Sequence, residues 1–323
     1  MKKFSPVSDL AIEAAEKLTF DTAGTSGVQV IKEECILPDT SVTWVKITTD
    51  GGARAMGRPQ GNYITIESPY MRTGDKDAHR RIAELLKKYL LKIKALDNAK
   101  SVLITGLGNR RITADSLGPK AAGRIRVTGH ITDMLPAGTR SVYAVSPGVM
   151  GITGIETLEI IRGIVSRIKP DAVIAIDSLA ARRTERINAT IQLADTGVSP
   201  GAGVGNKRAG LDMDSLGVPV VAMGVPTVVD AATLVNDTLD MMLKRRDDDP
   251  PCPEPLFEPL RRLSDEEKYD LIRNVLDPCE NMIVAPKDVD ETVDNLAYII
   301  GTAVNAALNP TLDLEELEGD CRQ

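Results

Sequence analysis

Residues 101–119, SVLITGLGNRRITADSLGP, constrain the fold more than any other stretch. An apolar run at 102–107 stops at Gly106-Leu107-Gly108-Asn109, and a helical pattern opens near Ser116. A buried strand that ends in a glycine turn and feeds a helix is the start of a βαβ unit. Folds of that kind place ligands and catalytic groups at the carboxyl ends of their strands. Residues 171–177, DAVIAID, repeat the pattern and also end on a carboxylate. Asp115 and Asp177 are therefore expected to close two neighbouring strands, and that pair is the candidate centre of the chemistry.

The rest of the chain fits around these two units. A short helix is expected at 8–18, capped by Ser8 or Asp9, followed by strands at 27–36, 42–48 and 62–66. Residues 75–96 form an amphipathic pattern, with Ile82, Leu85, Leu86, Tyr89, Leu90 and Ile93 at helical spacing. Strands at 141–145, 190–194 and 218–223 alternate with helices at 155–168 and 229–244. The alternation predicts an α/β fold with a mixed, largely parallel sheet flanked by helices. Residues 247–259, DDDPPCPEPLFEP, read as a linker. Ser264 and Glu267 have capping-box spacing, and Pro286 opens a last long helix, which together make a helical C-terminal extension.

Totals narrow the classes. The chain has 323 residues, 42% hydrophobic but only 3% aromatic, so its core must be aliphatic. A net charge of -7 argues against a nucleic-acid-binding surface. Cys35, Cys252, Cys279 and Cys321 show no C-x-x-C spacing, which argues against a zinc site or a disulfide framework. No apolar run approaches a membrane span, and residues 5–17 lack the apolar segment of a signal peptide. The expectation is a cytoplasmic protein with no membrane contact, no direct nucleic-acid contact and no cofactor or metal.

Two carboxylates held close cannot both ionise comfortably, so one keeps a proton while the other acts as a base on water. The alternative is structural: Asp115 as the N-cap of the helix behind it, and Asp177 as a cap on the turn at Ser178. Other motifs fail on inspection. Arg111 stands where G-x-G-x-x-G needs its third glycine, and Gly205-Asn206-Lys207-Arg208 is not a Walker A ending. The loop at 197–206 reads as flexible and near the site. His79 reads as solvated and His130 as structural. Arg182, Arg183 and Arg186 read as a solvated or ion-paired face, though their position after Asp177 leaves open a role in orienting an acidic group, and Arg182 and Lys207 are candidates for tuning the aspartates.

Five blocks in order closely resemble the spore germination protease family: GLGN…TADSLGP (106–119), SPGVMGITGIET (146–157), KPDAVIAIDSLAARRTERINATIQLADTG (169–197), PGAGVGNKR (200–208) and GVPVVAMGVPTVVDA (217–231). The match is dense over 101–243 and looser in the flanks. The resemblance implies an atypical aspartic endopeptidase that degrades small acid-soluble spore proteins during germination in the spore core. It also implies a zymogen that assembles as a homotetramer, with its two aspartates at Asp115 and Asp177. Ala114 departs from the proline the resemblance leads one to expect. Self-cleavage is implied between Ala11 and Ile12, where Asp9, Leu10 and Ala11 precede the bond and Glu13 follows Ile12. The chain then divides into a propeptide, 1–11, and one α/β protease domain, 12–323, with its core at about 101–245 and the extension at about 260–323. The fold implied is phosphorylase/hydrolase-like and related to hydrogenase maturation proteases. That second family is metal-dependent and is a rival reading, as is a non-catalytic binding module.

Overall fold

Apolar runs bounded by turns become the strands of one sheet, and the segments between them become covering helices. The computed structural model describes residues 8–21, 27–35, 37–131, 139–199, 209–244, 262–264, 267–268, 271–272, 275 and 282–309. The first half holds α1 (Ala11–Asp21), β1 (Val28–Glu34), β2 (Ser41–Ile47), α2 (Asp50–Met56), β3 (Gly61–Glu67), α3 (Lys76–Leu90), β4 (Ser101–Gly106) and α4 (Leu117–Ala122). The second holds β5 (Ser141–Val145), α5 (Met150–Thr153), α6 (Thr157–Ile168), β6 (Ala172–Ala181), β7 (Thr190–Ala194), α7 (Met213–Leu216), β8 (Val220–Asp230), α8 (Ala231–Lys244), β9 (Ile283–Val284) and α9 (Val289–Leu308). Among the described residues no helix is long and apolar enough to cross a membrane.

The sheet is mixed, in the order β1-β2-β3-β7-β8-β6-β4-β5 with β9 on β8. β8, β6, β4 and β5 run parallel, and β1, β2, β3 and β7 add an antiparallel half. Strand alternation sends Ile174, Ile176, Val221, Met223, Val225, Ile191 and Leu193 to one face. There they join Ile82, Leu86, Tyr89, Leu117, Leu296, Ile300 and Val304 in the main core. α9, the long helix of the C-terminal region, lies across α3 and α4 inside this core. On the other face Leu103, Val173 and Ala175 pack against Ile161 and Val165 of α6. Beside them Val45, Ala194 and Ala222 pack with Ala11 and Ala15 of α1.

Element bounds depart from the sequence reading where tertiary bonds intervene. Residues 8–10 are not helical, because the Leu10 N–H donates to Ser8 Oγ and the Asp9 N–H to Ala180 O. The amphipathic helix stops at Leu90, and Lys94–Leu96 is a separate 3-10 turn. β6 continues four residues beyond Asp177, because β8 is long enough to pair with it as far as Val229 across a bulge at Leu179/Ala180. The capping box forms: Glu267 N donates to Ser264 Oγ at 3.3 Å, and Ser264 N donates to Glu267 Oε2 at 2.8 Å. The linker at 247–259 lies outside the described residues.

Candidate active site

β4 runs out beside β6. Gly106 is the register partner of Ile176, and the Leu107 N–H donates to Ile176 O at 2.8 Å. The start of α4 lies directly on that joint. A Cβ on Gly118 would come within 2.2 Å of Leu107 O and 2.5 Å of Ile176 O, so only glycine allows this backbone-to-backbone approach. The loop then turns at Gly108, where a φ of +110° and the 2.1 Å that would separate an added Cβ from Asp115 O again exclude a side chain.

Asp115 closes a 3-10 turn, Thr113–Asp115. Its Oδ2 accepts from Asn109 N at 2.8 Å, and buried Thr227 of β8 donates to Ala114 O at 2.6 Å, tying the turn to the sheet. The cap reading of Asp115 does not hold, since Ser116 occupies the N-cap of α4 and no side chain caps that helix. Asp177 sits within β6, 5% exposed, and its Oδ1 accepts from Ser178 N at 2.9 Å. The two aspartates therefore flank one short backbone joint: Asp177 follows the carbonyl that holds Leu107, and Gly108 packs against Asp115.

Asp177 also belongs to a row across the sheet. Its register partner is Gly224 on β8, and the partner of Gly224 on β7 is Gln192. A cavity of about 300 Å³ opens over the Gly224–Gln192 part of this row, lined by Leu179, Gly224, Gln192, Arg58, Asp9 and Asp212 among others. A second cavity of about 420 Å³ lies between Arg72, Asn188, Val284 and Asp288. Neither cavity is lined by Asp115 or Asp177.

The basic cluster is ion-paired. Arg186 is 7% exposed and binds Glu13, Glu16 and Glu67, with Nη2 at 2.7 Å from Glu16 Oε1 and Nε at 2.7 Å from Glu67 Oε1. Burial opposes its charge, but Glu16 and Glu67 hold its pKa well above the usual value. Arg183 pairs with Glu16, and the backbone N–H groups of Arg182 and Arg183 donate to Glu13. The cluster thus anchors α1. Lys207 and most of the glycine-rich loop lie outside the described residues. His79 is buried, not solvated, with Nε2 at 3.2 Å from Tyr70 O, while His130 is exposed. Among the described residues no three His, Cys, Asp or Glu side chains gather as a metal site.

The bond between Ala11 and Ile12 lies at the first residue of α1, with Ala11 0% and Ile12 5% exposed. The residues before it are held by side chains that sequence reasoning missed. Gln192 Nε2 donates to Asp9 O at 3.0 Å, and its Oε1 accepts from Ala11 N at 2.6 Å. Arg58 Nη2 donates to Ser8 O at 2.8 Å. Burial pushes the Asp9 carboxyl above the usual carboxylate range, with the Ala180 N–H and the Arg58 charge pulling the other way. A glutamine among Ile191, Leu193 and Ala194 of the strand TIQLA was the one signal in the sequence that could have pointed to this contact.

Comparison with known proteins places the chain in a family. The sequence model of the germination protease family matches residues 7–249 and 255–319. A germination protease from Caldanaerobacter subterraneus subsp. tengcongensis is 43% identical over 315 residues, 96% of each chain. One from Clostridium tetani is 44% identical over 320 residues, 96% of this chain and 97% of the relative. Among solved structures, a [NiFe] hydrogenase maturation protease HycI from Thermococcus kodakarensis aligns with a TM-score of 0.33 and 14% identity. That alignment covers 68% of this chain and 98% of the other. With the family model spanning nearly the whole chain and relatives above 40% identity over the same length, this chain belongs to the germination protease family.

Proposed function

We propose that the chain is an endopeptidase that hydrolyses small acid-soluble spore proteins, with Asp115 and Asp177 as a metal-free carboxylate pair. The observation that supports this most is the joint at Leu107–Ile176, which sets both aspartates at the carboxyl edge of β4. The pair shares one proton. The ionised member takes a proton from water as its oxygen attacks the scissile carbonyl carbon, and the protonated member donates to the carbonyl oxygen. The tetrahedral intermediate collapses when the C–N bond breaks and a proton passes to the leaving amine, which returns the pair to its starting state. The protein is made as a zymogen in the spore core and is a homotetramer. It removes residues 1–11 by cutting between Ala11 and Ile12. That bond is buried in the first turn of α1, so α1 must open there before the cut.

The test is proteolysis of a small acid-soluble spore protein by N-terminally processed wild type, Asp115→Asn and Asp177→Asn, with and without chelator. Each variant is expected to fold and to lose about a thousandfold or more in kcat, with the wild type indifferent to chelator. Activity abolished by chelator would make the carboxylates metal ligands. Wild-type activity in either variant would remove that aspartate from the chemistry.

A further inference from the structure

Beyond the end of its pairing with β7, β8 is met by two further supports. Asn188 N donates to Pro226 O at 2.7 Å, and β9 pairs with Val229 and Asp230. The cavity of about 420 Å³ has a residue of each support in its lining, Asn188 from the first and Val284 from the second. Buried Ile187 and Val229 form its apolar wall with Leu234, Val284 and Ala285. A hollow of this size, mostly apolar with a few polar groups, is the usual form of a small-molecule site.

Three polar groups line the same cavity with bonding capacity to spare. Arg72 ends a 3-10 turn, Pro69–Arg72, and spends Nε on Ile187 O at 2.8 Å and Nη2 on Glu185 O at 2.6 Å. Its Nη1 makes no bond among the described residues. Asp288 stands at the N-cap of α9, yet its side chain caps nothing. The charges of Arg72 and Asp288 act on each other, but among the described residues they form no ion pair. Opposite charges that line one cavity without touching leave room for a group that carries both signs. The third group is Asn188, 1% exposed and held at a φ of +56°, which asparagine tolerates. Its Oδ1 is buried with no hydrogen-bond partner. An acceptor left unpaired in the interior is costly and calls for a donor.

We propose that this cavity binds a free α-amino acid with an aliphatic side chain. Arg72 Nη1 takes the ligand's carboxylate, for which a guanidinium is the matching donor. The ammonium has three donors and serves both remaining acceptors, the Asp288 carboxylate and Asn188 Oδ1. The side chain lies against Val229, Leu234 and Val284. Neither Asp115 nor Asp177 lines the cavity, so the site is separate from the proposed peptidase centre.

The test is isothermal titration of the full-length chain with L-leucine, with the thermal transition followed in parallel. L-Leucine at millimolar concentration is expected to bind and to raise Tm, as a ligand of the folded state does. L-Leucinamide lacks the carboxylate and N-acetyl-L-leucine lacks the ammonium. Each should bind about tenfold more weakly, the usual worth of one hydrogen bond to a charged group. Asp288→Asn should cost L-leucine about the same factor and leave N-acetyl-L-leucine unchanged, a split that a merely structural role would not produce. Arg72→Gln also loosens the turn at 185–187, so Asp288→Asn, whose side chain caps nothing, is the variant that decides. Asn188→Gly removes the unpaired amide, keeps the left-handed backbone and should likewise weaken L-leucine. Failure of L-leucine to bind the wild type, equal binding of L-leucine and either derivative, or undiminished binding to Asp288→Asn would each overturn the site. Neither readout involves peptidase activity, so the fate of the aspartate pair leaves the result standing.

Discussion

A methyl group on Gly118 would lie 2.2 Å from Leu107 O and 2.5 Å from Leu107 N, inside the joint that carries both aspartates. Gly118→Ala must push α4 away from the ends of β4 and β6, at a cost of about 3 kcal/mol for backbone that has nowhere to move. A displacement of even about 1 Å at such a site lowers turnover by about a hundredfold. The variant is expected to lose several degrees in Tm and most peptidase activity. Gly123→Ala is the matched control: it sits at the end of the same helix, has φ of -67°, and its nearest neighbours are 3.5 Å away. Equal activity in the two variants would show that the joint does not position the site. At this scale the apolar runs that precede Asp115 and Asp177 were legible as β4 and β6, because such runs are visible as pattern. It was silent on Thr227 and Arg58, whose partners, Ala114 O and Ser8 O, are 113 and 50 residues away.

Among the elements, α1 shows what a charge run leaves unsaid. Of the readings open for Arg182, Arg183 and Arg186, the ion-paired one holds, and the partners that the run could not name are Glu13 and Glu16 of this helix. Arg186→Leu leaves three carboxylates around one buried position and should cost about 3 kcal/mol, as breaking a buried pair does. The sign of the pH dependence follows from Glu16. Burial alone would raise its pKa, but the hydrogen bonds and charge of Arg186 outweigh burial and hold it below the ordinary glutamate value of 4.5. Its contribution is present above 4.5 and is lost as pH falls through the lowered folded value. Wild type and Arg186→Leu should therefore differ most at neutral pH and converge in acid. Urea unfolding at several pH values measures this, and a constant gap down to strong acid would count against the network. Bounds of β5 and β7 were readable to the residue, since each is a short run between turns. The start of α1 was not, because Asp9 and Leu10 spend their N–H groups on Ala180 and Ser8 instead of on a helix.

Over the whole molecule, the alternation of strands and helices announced a mixed sheet, but its order could not be read from it. β3 pairs with β7 across more than a hundred residues, and that contact joins the antiparallel half to the strands that carry Asp177. The C-terminal helix poses the same problem on a larger scale. By sequence it follows a linker and looks appended, whereas in the fold Val293, Leu296, Ile299, Ile300, Ala303 and Val304 of α9 are at most 1% exposed. They pack with α3 and α4, and α4 in turn rests on the Leu107–Ile176 joint. Burial of those six side chains is worth roughly 10 kcal/mol at about 1.5–3 kcal/mol for each large one, comparable with the entire net stability of an ordinary domain. A chain ending at Asp288 keeps every residue of the candidate site, including both aspartates, Gln192 and Gly224. It is nevertheless expected to lose cooperative thermal unfolding, because α3 and α4 would present their apolar faces to water. Calorimetry of the truncated chain makes the measurement. A single cooperative transition, with peptidase activity after processing, would show that α9 is an appendage and that the residues before it suffice to hold the site.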